Sequence, residues 1–257
     1  MISDLLQHYQ DAASALTALS FFYEHALSAD AIALEYVQTR GLSSETMERF
    51  RVGFSPGAVE MLAFLEANNI SYEQIVATGN LMNEKDGLVD RFTYRLVFPI
   101  FDLVGNVCGF SGRVLPGEDG SKYTNSPSSY TFKKSLALFG LYQALETIKT
   151  QNFALVVEGN VDVMMASQAG VLNTVAACGT ALREEHLAVL KHYTNNIVLC
   201  FDVDDAGRRA TEKAEKLCKA AGLQVWVAHI PSAKDPAEFV LNYGPEAFLD
   251  AIYELFS

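Results

Sequence analysis

Two stretches decide the fold: FALVVEGNVDVMMA (153–166) and NIVLCFDVDDAGRRA (196–210). In each, a short and continuously apolar run leads through acidic residues into a segment with the spacing of a helix. NTVAAC (173–178) followed by REEHLAVLKHY (183–193) shows the same alternation, and LQVWVAHI (223–230) adds a last apolar run. Continuous apolar strands that alternate with amphipathic helices are typical of a parallel sheet covered on both faces.

The chain before this region follows a different pattern. Leu and Ala recur at helical spacing through residues 1–40, LVFPIFD (96–102) is β-rich, and residues 116–131 have the composition of a loop. We therefore predict an α/β protein with two parts. Residues 1–150 form an N-terminal mixed α+β subdomain, and residues 151–257 form a Rossmann-like parallel-sheet domain with helices on both faces.

Composition excludes several classes of protein. The 257 residues are 50% hydrophobic, which is enough for a sizeable core. No stretch is long and apolar enough to cross a bilayer, and the N-terminus lacks the features of a signal peptide, so we expect a cytoplasmic protein without a membrane partner. The four cysteines form no CxxC pair, and the five histidines lack metal-ligand spacing. We therefore expect no zinc in this chain.

Charge is distributed unevenly along the chain. The formal net charge of −12 argues against a nucleic-acid partner, because such proteins usually carry a basic bias. Residues 91–134, however, hold six basic residues against three acids, whereas residues 1–39 hold five acids and no Lys or Arg. A locally positive segment can attract a polyanion even when the total charge repels it.

Acidic residues follow three of the predicted strands. Glu158 comes after FALVV, Asp202 and Asp204 come after NIVLCF, and Asp235 follows the last strand. Ligands of parallel sheets collect beyond the carboxyl ends of the strands, so these acids are expected at one edge. Alternation along an extended segment would place Asp202 and Asp204 on the same side. Taken singly, Asp204 also fits a helix N-cap, and Asp235 before a proline fits a turn.

Several carboxylates in one crevice repel each other, so they must take up protons or bind a cation. Only oxygen ligands are on offer here, and the cation that suits them is Mg²⁺ or Mn²⁺. Such an ion neutralises charge on a transferred phosphoryl group and activates a hydroxyl.

VVEGNVDVMMA (156–166) and LCFDVDDAGRRA (199–210) resemble the TOPRIM domain, which is shared by DnaG-type primases, topoisomerases and some nucleases. Upstream motifs resemble, in order, those of the polymerase domain of DnaG-type primases. These motifs are ERFRVGFSPG (48–57), DRFTYRLVFPI (90–100), GFSGRVL (109–115), KYTNSP (122–127) and FKKSLALFGL (132–141). The resemblance covers roughly residues 30–250.

The resemblance implies a primase catalytic core that makes short RNA primers from nucleoside triphosphates on a single-stranded DNA template. Glu158, Asp202 and Asp204 would be the catalytic acids and would hold two or more Mg²⁺ or Mn²⁺ ions, with support from Asp162 and Asp235. Other positions would contact template, nucleotide and nascent RNA; they are Arg49, Arg91, Arg95, Arg113, Lys122, Asn125 and Lys134. A replicative helicase is the expected partner of the full-length protein.

The sequence departs from the family pattern in places. Asn160 stands where an aromatic residue usually follows the Glu-Gly pair, and Ala237 stands where the last acidic motif usually has a second Asp. We expect the family's zinc ribbon and helicase-binding domain to lie outside this chain. Two alternatives stay open: a TOPRIM nuclease or topoisomerase fragment, and a non-catalytic module that binds single-stranded DNA.

Overall fold

A computed structural model describes residues 2–85, 87–179 and 181–256. The chain divides into two compact units. The first comprises Met1–Arg40 and Met47–Lys134, and the second comprises Gly41–Thr46 and Ser135–Ser257. Among the residues that the structure describes, no helix has the length and apolar character needed to cross a membrane.

The first unit combines helices with an antiparallel sheet. Its four-stranded sheet has the order β1-β4-β5-β6, and β2 and β3 form a separate hairpin. The elements up to the end of this sheet are α1 (Ile2–Ala29), α2 (Ala31–Thr39), α3 (Ser44–Phe50), β1 (Gly53–Ser55), α4 (Ala58–Ala67), α5 (Tyr72–Ala77), β2 (Leu81–Glu84), β3 (Gly87–Asp90), β4 (Arg95–Phe101), β5 (Val107–Val114) and β6 (Tyr123–Asn125). Side chains of α1, including Leu16, Leu19 and Tyr23, pack with Val97 and Phe110 of the sheet in one apolar core.

The second unit is built on a five-stranded sheet of order β11-β10-β8-β9-β7. The pairs β11-β10, β10-β8 and β8-β9 are parallel, and the short edge strand β7 is antiparallel to β9. The elements are β7 (Leu138–Phe139), α6 (Leu141–Gln151), β8 (Ala154–Val157), α7 (Asn160–Gln168), β9 (Thr174–Ala177), α8 (Glu184–Lys191), β10 (Asn196–Leu199), α9 (Asp205–Ala220), β11 (Gln224–Val227), α10 (Pro236–Tyr253) and a 3₁₀ turn (Glu254–Phe256).

Helices cover both faces of this sheet, which is why its central strands are apolar throughout. Ala154 and Val156 of β8 pack in a core with residues of α6, α8 and α9. The alternate residues Leu155 and Val157 are also buried, and they point to the opposite face, as alternation along a strand requires. On that side, α7 packs on β9 and on α10.

The predicted fold class is confirmed: a mixed α+β unit precedes a domain with a parallel-strand sheet. Five short strands were not predicted, namely β1, β2, β3, β6 and β7. Of these, β6 lies inside residues 116–131, which the sequence predicted to be a loop. Three residues are too few to show a period, and β6 forms because its backbone pairs with β5. The division between functional domains at residue 150 stays a prediction.

Candidate metal centre and nucleic-acid interface

The carboxyl ends of β8 and β10 bring two of the predicted acids together. The strands are parallel neighbours, with Leu199 opposite Val156. Glu158 directly follows β8, and its Oε1 accepts a hydrogen bond of 3.1 Å from the backbone N–H of Asp202. The Glu158 carboxylate and the Asp202 backbone are therefore in contact at one edge of the sheet.

Asp204 is positioned by a helix and not by a strand. Strand β10 ends at Leu199, so alternation along an extended segment does not place Asp202 and Asp204. Asp204 is instead the N-cap of α9, and its Oδ1 accepts a 2.8 Å hydrogen bond from the N–H of Gly207. This bond lowers the pKa of Asp204, with help from the cations Lys234 and Arg208. The helix-cap interpretation is confirmed.

Gly207 lets the first turn of α9 approach residues 200–204, the acid-bearing loop that carries Asp202 and Asp204. A Cβ atom at this position would lie 2.0 Å from the backbone oxygen of Asp202. Contact that close is possible only for a residue without a side chain. Gly207 therefore fixes the spacing between Asp202 and the Asp204 cap, and sequence reasoning missed it.

Asp162 connects the starts of two helices. Its side chain is buried, and its Oδ2 accepts from the N–H of Gly159 at 3.0 Å while its Oδ1 accepts from the N–H of Ala237 at 3.2 Å. Asp235 caps α10 by accepting from the N–H of Glu238 at 2.8 Å. Asp162 thus holds the N-terminus of α7 against that of α10. Its predicted role in supporting a metal ion is untested.

Burial and mutual repulsion raise the pKa values of three of the acids at this edge. Partial burial, followed by repulsion from Glu158, Asp235 and Asp204, raises the pKa of Asp202 to about 6. Burial and repulsion from Asp235 and Asp202 raise the pKa of Asp162 to about 7. Glu158 shifts upward through desolvation and the charge of Asp204, so its pKa is also raised. Burial is the first cause of each shift, and repulsion between the carboxylates adds to it.

The donor set fits a hard divalent cation. All the side-chain donors are carboxylate oxygens, which suit Mg²⁺ or Mn²⁺. Within the described residues, no three His, Cys, Asp or Glu side chains form a ready-made metal-holding group. Mg²⁺ keeps several waters and needs few protein ligands, so an incomplete set of side chains is still compatible with it. Lys234, whose charge lowers the pKa of Asp202 and of Asp204, is a neighbour that sequence reasoning missed.

Two of the predicted basic residues lie close to the pairing of β5 with β6: Arg113 is on β5, and Lys122 directly precedes β6. Arg113 is opposite Tyr123, and its Nη1 donates a 2.8 Å hydrogen bond to the tyrosine hydroxyl. The same guanidinium lies 5.9 Å from the centre of the Tyr36 ring. Lys122 is exposed, and its ammonium lies 5.9 Å from the centre of the Tyr123 ring. Aromatic rings thus hold both cations in place.

The remaining predicted contacts of the first unit are more dispersed. Arg95 is buried, and its Nη1 donates to the Ser121 carbonyl at 2.8 Å, so it anchors the loop before β6. Arg91 is half-buried, and its Nε donates to the Gly79 carbonyl at 2.8 Å. The others are exposed Arg49 beside the Phe50 ring, half-buried Asn125 at the end of β6, and half-buried Lys134.

Comparison with known proteins gives matches over most of the chain. Residues 21–145 match the family model of the DNA primase catalytic core, N-terminal domain, and residues 155–240 match the Toprim-like family. The RNA polymerase domain of Mycobacterium tuberculosis primase superposes with a TM-score of 0.87 at 34% identity, over 94% of this chain and 82% of that one. The chain belongs to the DnaG-type DNA primase family.

Two further members of the primase family are similar to this chain over most of its length. The DNA primase of Aquifex aeolicus is 37% identical over 90% of this chain and 47% of its own length. A DnaG primase catalytic domain solved bound to single-stranded DNA has a TM-score of 0.84 and 35% identity, over 97% of this chain and 80% of that one. The chain spans less than half the length of the curated primases that it matches. Membership in the Toprim-like family implies divalent metal binding in general.

The departures from the family pattern lie beside the acids. Asn160 is buried, and its Nδ2 has no hydrogen-bond partner in the part of the chain that the structure describes. Ala237, where the primase family usually has a second Asp, contributes its backbone N–H to Asp162. Any residue except proline could make this backbone contact, so what Ala237 lacks is the side-chain carboxylate.

Proposed function

We propose that this chain is the catalytic core of a DNA primase. It would act as a DNA-directed RNA polymerase, a nucleotidyltransferase that makes short RNA primers on single-stranded DNA. The observation that carries the proposal is the contact between Glu158 and the Asp202 backbone beside the Asp204 cap, in a chain of the primase family. Carboxylates from two neighbouring strand ends, with raised pKa values, create a site that a divalent ion would stabilise.

In this proposal the carboxylates would bind the ion, and backbone N–H groups position the carboxylates. Glu158, Asp202 and Asp204 would be the direct ligands, with Asp162 and Asp235 in support. A bound Mg²⁺ or Mn²⁺ would neutralise charge on the transferred phosphoryl group and favour the ionised 3′-hydroxyl. The protein's own contribution is orientation: the Gly207 amide fixes Asp204, and Glu158 accepts from the Asp202 amide.

The cations of the first unit would bind phosphates of template, nucleotide and nascent RNA. Arg113 suits this role because its planar guanidinium is already oriented by Tyr123 and can pair with two phosphate oxygens. Lys122 supplies an exposed point charge. The proposed partners are single-stranded DNA and nucleoside triphosphates, together with the replicative helicase that a full-length primase would bind.

The test is primer synthesis from labelled nucleoside triphosphates on single-stranded DNA with Mg²⁺ or Mn²⁺. We expect Asp202→Ala to lower the rate by about 100-fold or more, because it removes a charge aimed at the reacting centre. Asp250→Ala is the matched control, since Asp250 is an exposed acid near the C-terminal end of α10, at the opposite end of that helix from Asp235. It should retain the wild-type rate.

Other outcomes would assign the chain differently. Equal synthesis by wild type and Asp202→Ala would reject the proposal. Nicking of supercoiled plasmid without triphosphates would favour a TOPRIM nuclease or topoisomerase activity. Failure of the wild type to bind Mn²⁺ in a titration would favour a non-catalytic module.

A further inference from the structure

The loop between β6 and Lys134 presents an aromatic ring to solvent. Tyr130 is 80% exposed, and no other aromatic side chain among the described residues is as open. A tyrosine usually buries most of its ring and leaves only the hydroxyl in contact with water. An open ring on a loop is therefore a candidate contact for a ligand.

The turn that carries this ring is well anchored. The N–H of Ser129 donates to the Phe132 carbonyl at 2.8 Å, and the Thr131 hydroxyl donates to the Cys108 carbonyl of β5 at 2.9 Å. Phe132 is buried, and it packs so closely on Gly109 that a Cβ there would lie 2.9 Å from its ring. The Tyr130 backbone is thus already ordered, and a ligand would not have to order it.

Tyr130 forms a wall between two cavities of the first unit. The larger has a volume of about 760 Å³ and the smaller about 260 Å³. Both are lined by Tyr130, Ser129, Thr78 and Ala77. The Thr78 hydroxyl is buried and donates to the Ile75 carbonyl, so the exposed ring of Tyr130 is the main group that the two walls share.

Charge distinguishes the two sides of the ring. Exposed Lys133 borders the larger cavity, as does Gly79, whose carbonyl accepts the hydrogen bond from Arg91. The smaller cavity is bordered by His8 and Asp11 instead. A polyanion is therefore attracted to the larger cavity, whose wall carries the exposed Lys133.

We propose that Tyr130 is a stacking platform for a base of the single-stranded DNA template, with the adjoining phosphates on the Lys133 side. This inference rests on the proposed function. Every base has a face that can stack on a tyrosine, so the contact is independent of sequence, as template binding by a polymerase requires. The platform also adds a contact outside the basic set predicted from the motifs.

The experiment is fluorescence anisotropy of a labelled oligo(dT) with the whole chain, without triphosphates or divalent ions. Tyr130→Ala should weaken binding about fivefold or more with an unchanged salt dependence, because stacking releases no counterions. Tyr130→Phe keeps the ring and should bind like the wild type. Lys133→Ala should instead reduce the slope of log K against log salt by about 0.7.

Two controls make the result specific. Tyr243→Ala removes a half-exposed tyrosine from the second unit, and Asp11→Asn neutralises the acid of the smaller cavity. Neither change should weaken binding. Thermal unfolding of each variant checks that the fold is retained.

The outcomes separate this inference from the proposed function. If the wild type binds oligo(dT) and Tyr130→Ala binds equally well, the platform is rejected while the primase proposal stands. If the wild type does not bind oligo(dT), the primase proposal fails and the platform fails with it. The same measurement with labelled oligo(U) tests the choice of strand. If Tyr130→Ala weakened binding to oligo(U) and not to oligo(dT), the assignment to the template strand would be overturned.

Discussion

The acids of the second unit lie beside groups of like charge, whereas the cations of the first unit lie beside neutral groups. At the sheet edge, Asp202 lies among like charges, and its pKa is raised to about 6. On the antiparallel sheet, Arg113 is held by the Tyr123 hydroxyl and Arg95 by the Ser121 carbonyl, both of which are neutral groups. The acids therefore need an external cation, whereas the cations are oriented without losing their charge.

A buried acid in the first unit sharpens the comparison. Asp90 accepts hydrogen bonds from the hydroxyls of Tyr23 and Ser55 and from the N–H of Phe92. Burial raises its pKa to about 6, and the hydrogen bonds limit the rise. Asp90 is thus shifted by desolvation, without a contribution from other carboxylates. Repulsion between acids is the property that marks the candidate metal centre.

The largest effect is expected from Gly207→Ala. The added Cβ would overlap the Asp202 backbone oxygen, so α9 or the acid-bearing loop must move. Displacing catalytic groups by about 1 Å can reduce a rate about 100-fold, and overpacking destabilises by about 1–3 kcal/mol. We expect primer synthesis to fall by that factor, and urea unfolding to show the loss of stability.

The control for this change is Arg209→Ala, an exposed position in the same turn of α9. It should retain nearly full activity and stability. Wild-type activity in Gly207→Ala would mean that the close approach of helix and loop does not set the site, and that the acids tolerate a looser arrangement.

The next effect concerns pH and Asp90. Its pKa rises from about 3.9 in the unfolded chain to about 6 in the fold, so the protonated carboxyl stabilises the native state. That stability is complete below about pH 4 and is lost as the pH rises through 6. The loss amounts to about 3 kcal/mol. Urea unfolding between pH 4.5 and 7.5 should show about 2 kcal/mol of it as the difference in pH dependence between the wild type and Asp90→Asn.

The difference between wild type and Asp90→Asn isolates this carboxyl from the other acids. Adding Mg²⁺ should leave the difference unchanged, because no other acid raises the pKa of Asp90. A difference that is constant with pH, or that grows in favour of the wild type as the pH rises, would contradict the assignment.

Much of the second unit could be predicted because its pattern is local. Apolar runs that end in acids indicate parallel strands, and the rule for strand ends places Glu158 near Asp202. The hydrogen bond from Ala237 to Asp162 joins residues 75 positions apart, and no pattern in either segment predicts it. The role of Gly207 could not be predicted either, because it depends on how closely the Asp202 backbone approaches the helix.

The first unit could be predicted less well. Its motifs identified the family, but strands as short as β1 and β6 form through pairing with β4 and β5, and so lack a pattern of their own. Two of the family motifs also assigned Arg95 and Lys122 to contacts with template and nucleotide. Folding buries Arg95 against the Ser121 carbonyl and leaves Lys122 exposed.

The smallest effect is expected from Lys122→Ala. Its exposed ammonium would release about one counterion on meeting a phosphate, so the slope of log K against log salt for oligo(dT) should fall by about 0.7. At low salt the affinity should fall only a few-fold. Lys216→Ala, an exposed lysine of α9, should leave the slope unchanged. Equal slopes for wild type and Lys122→Ala would show that Lys122 does not bind phosphate. Arg113, which the rings of Tyr123 and Tyr36 orient, would then be the cation of this region that contacts phosphate.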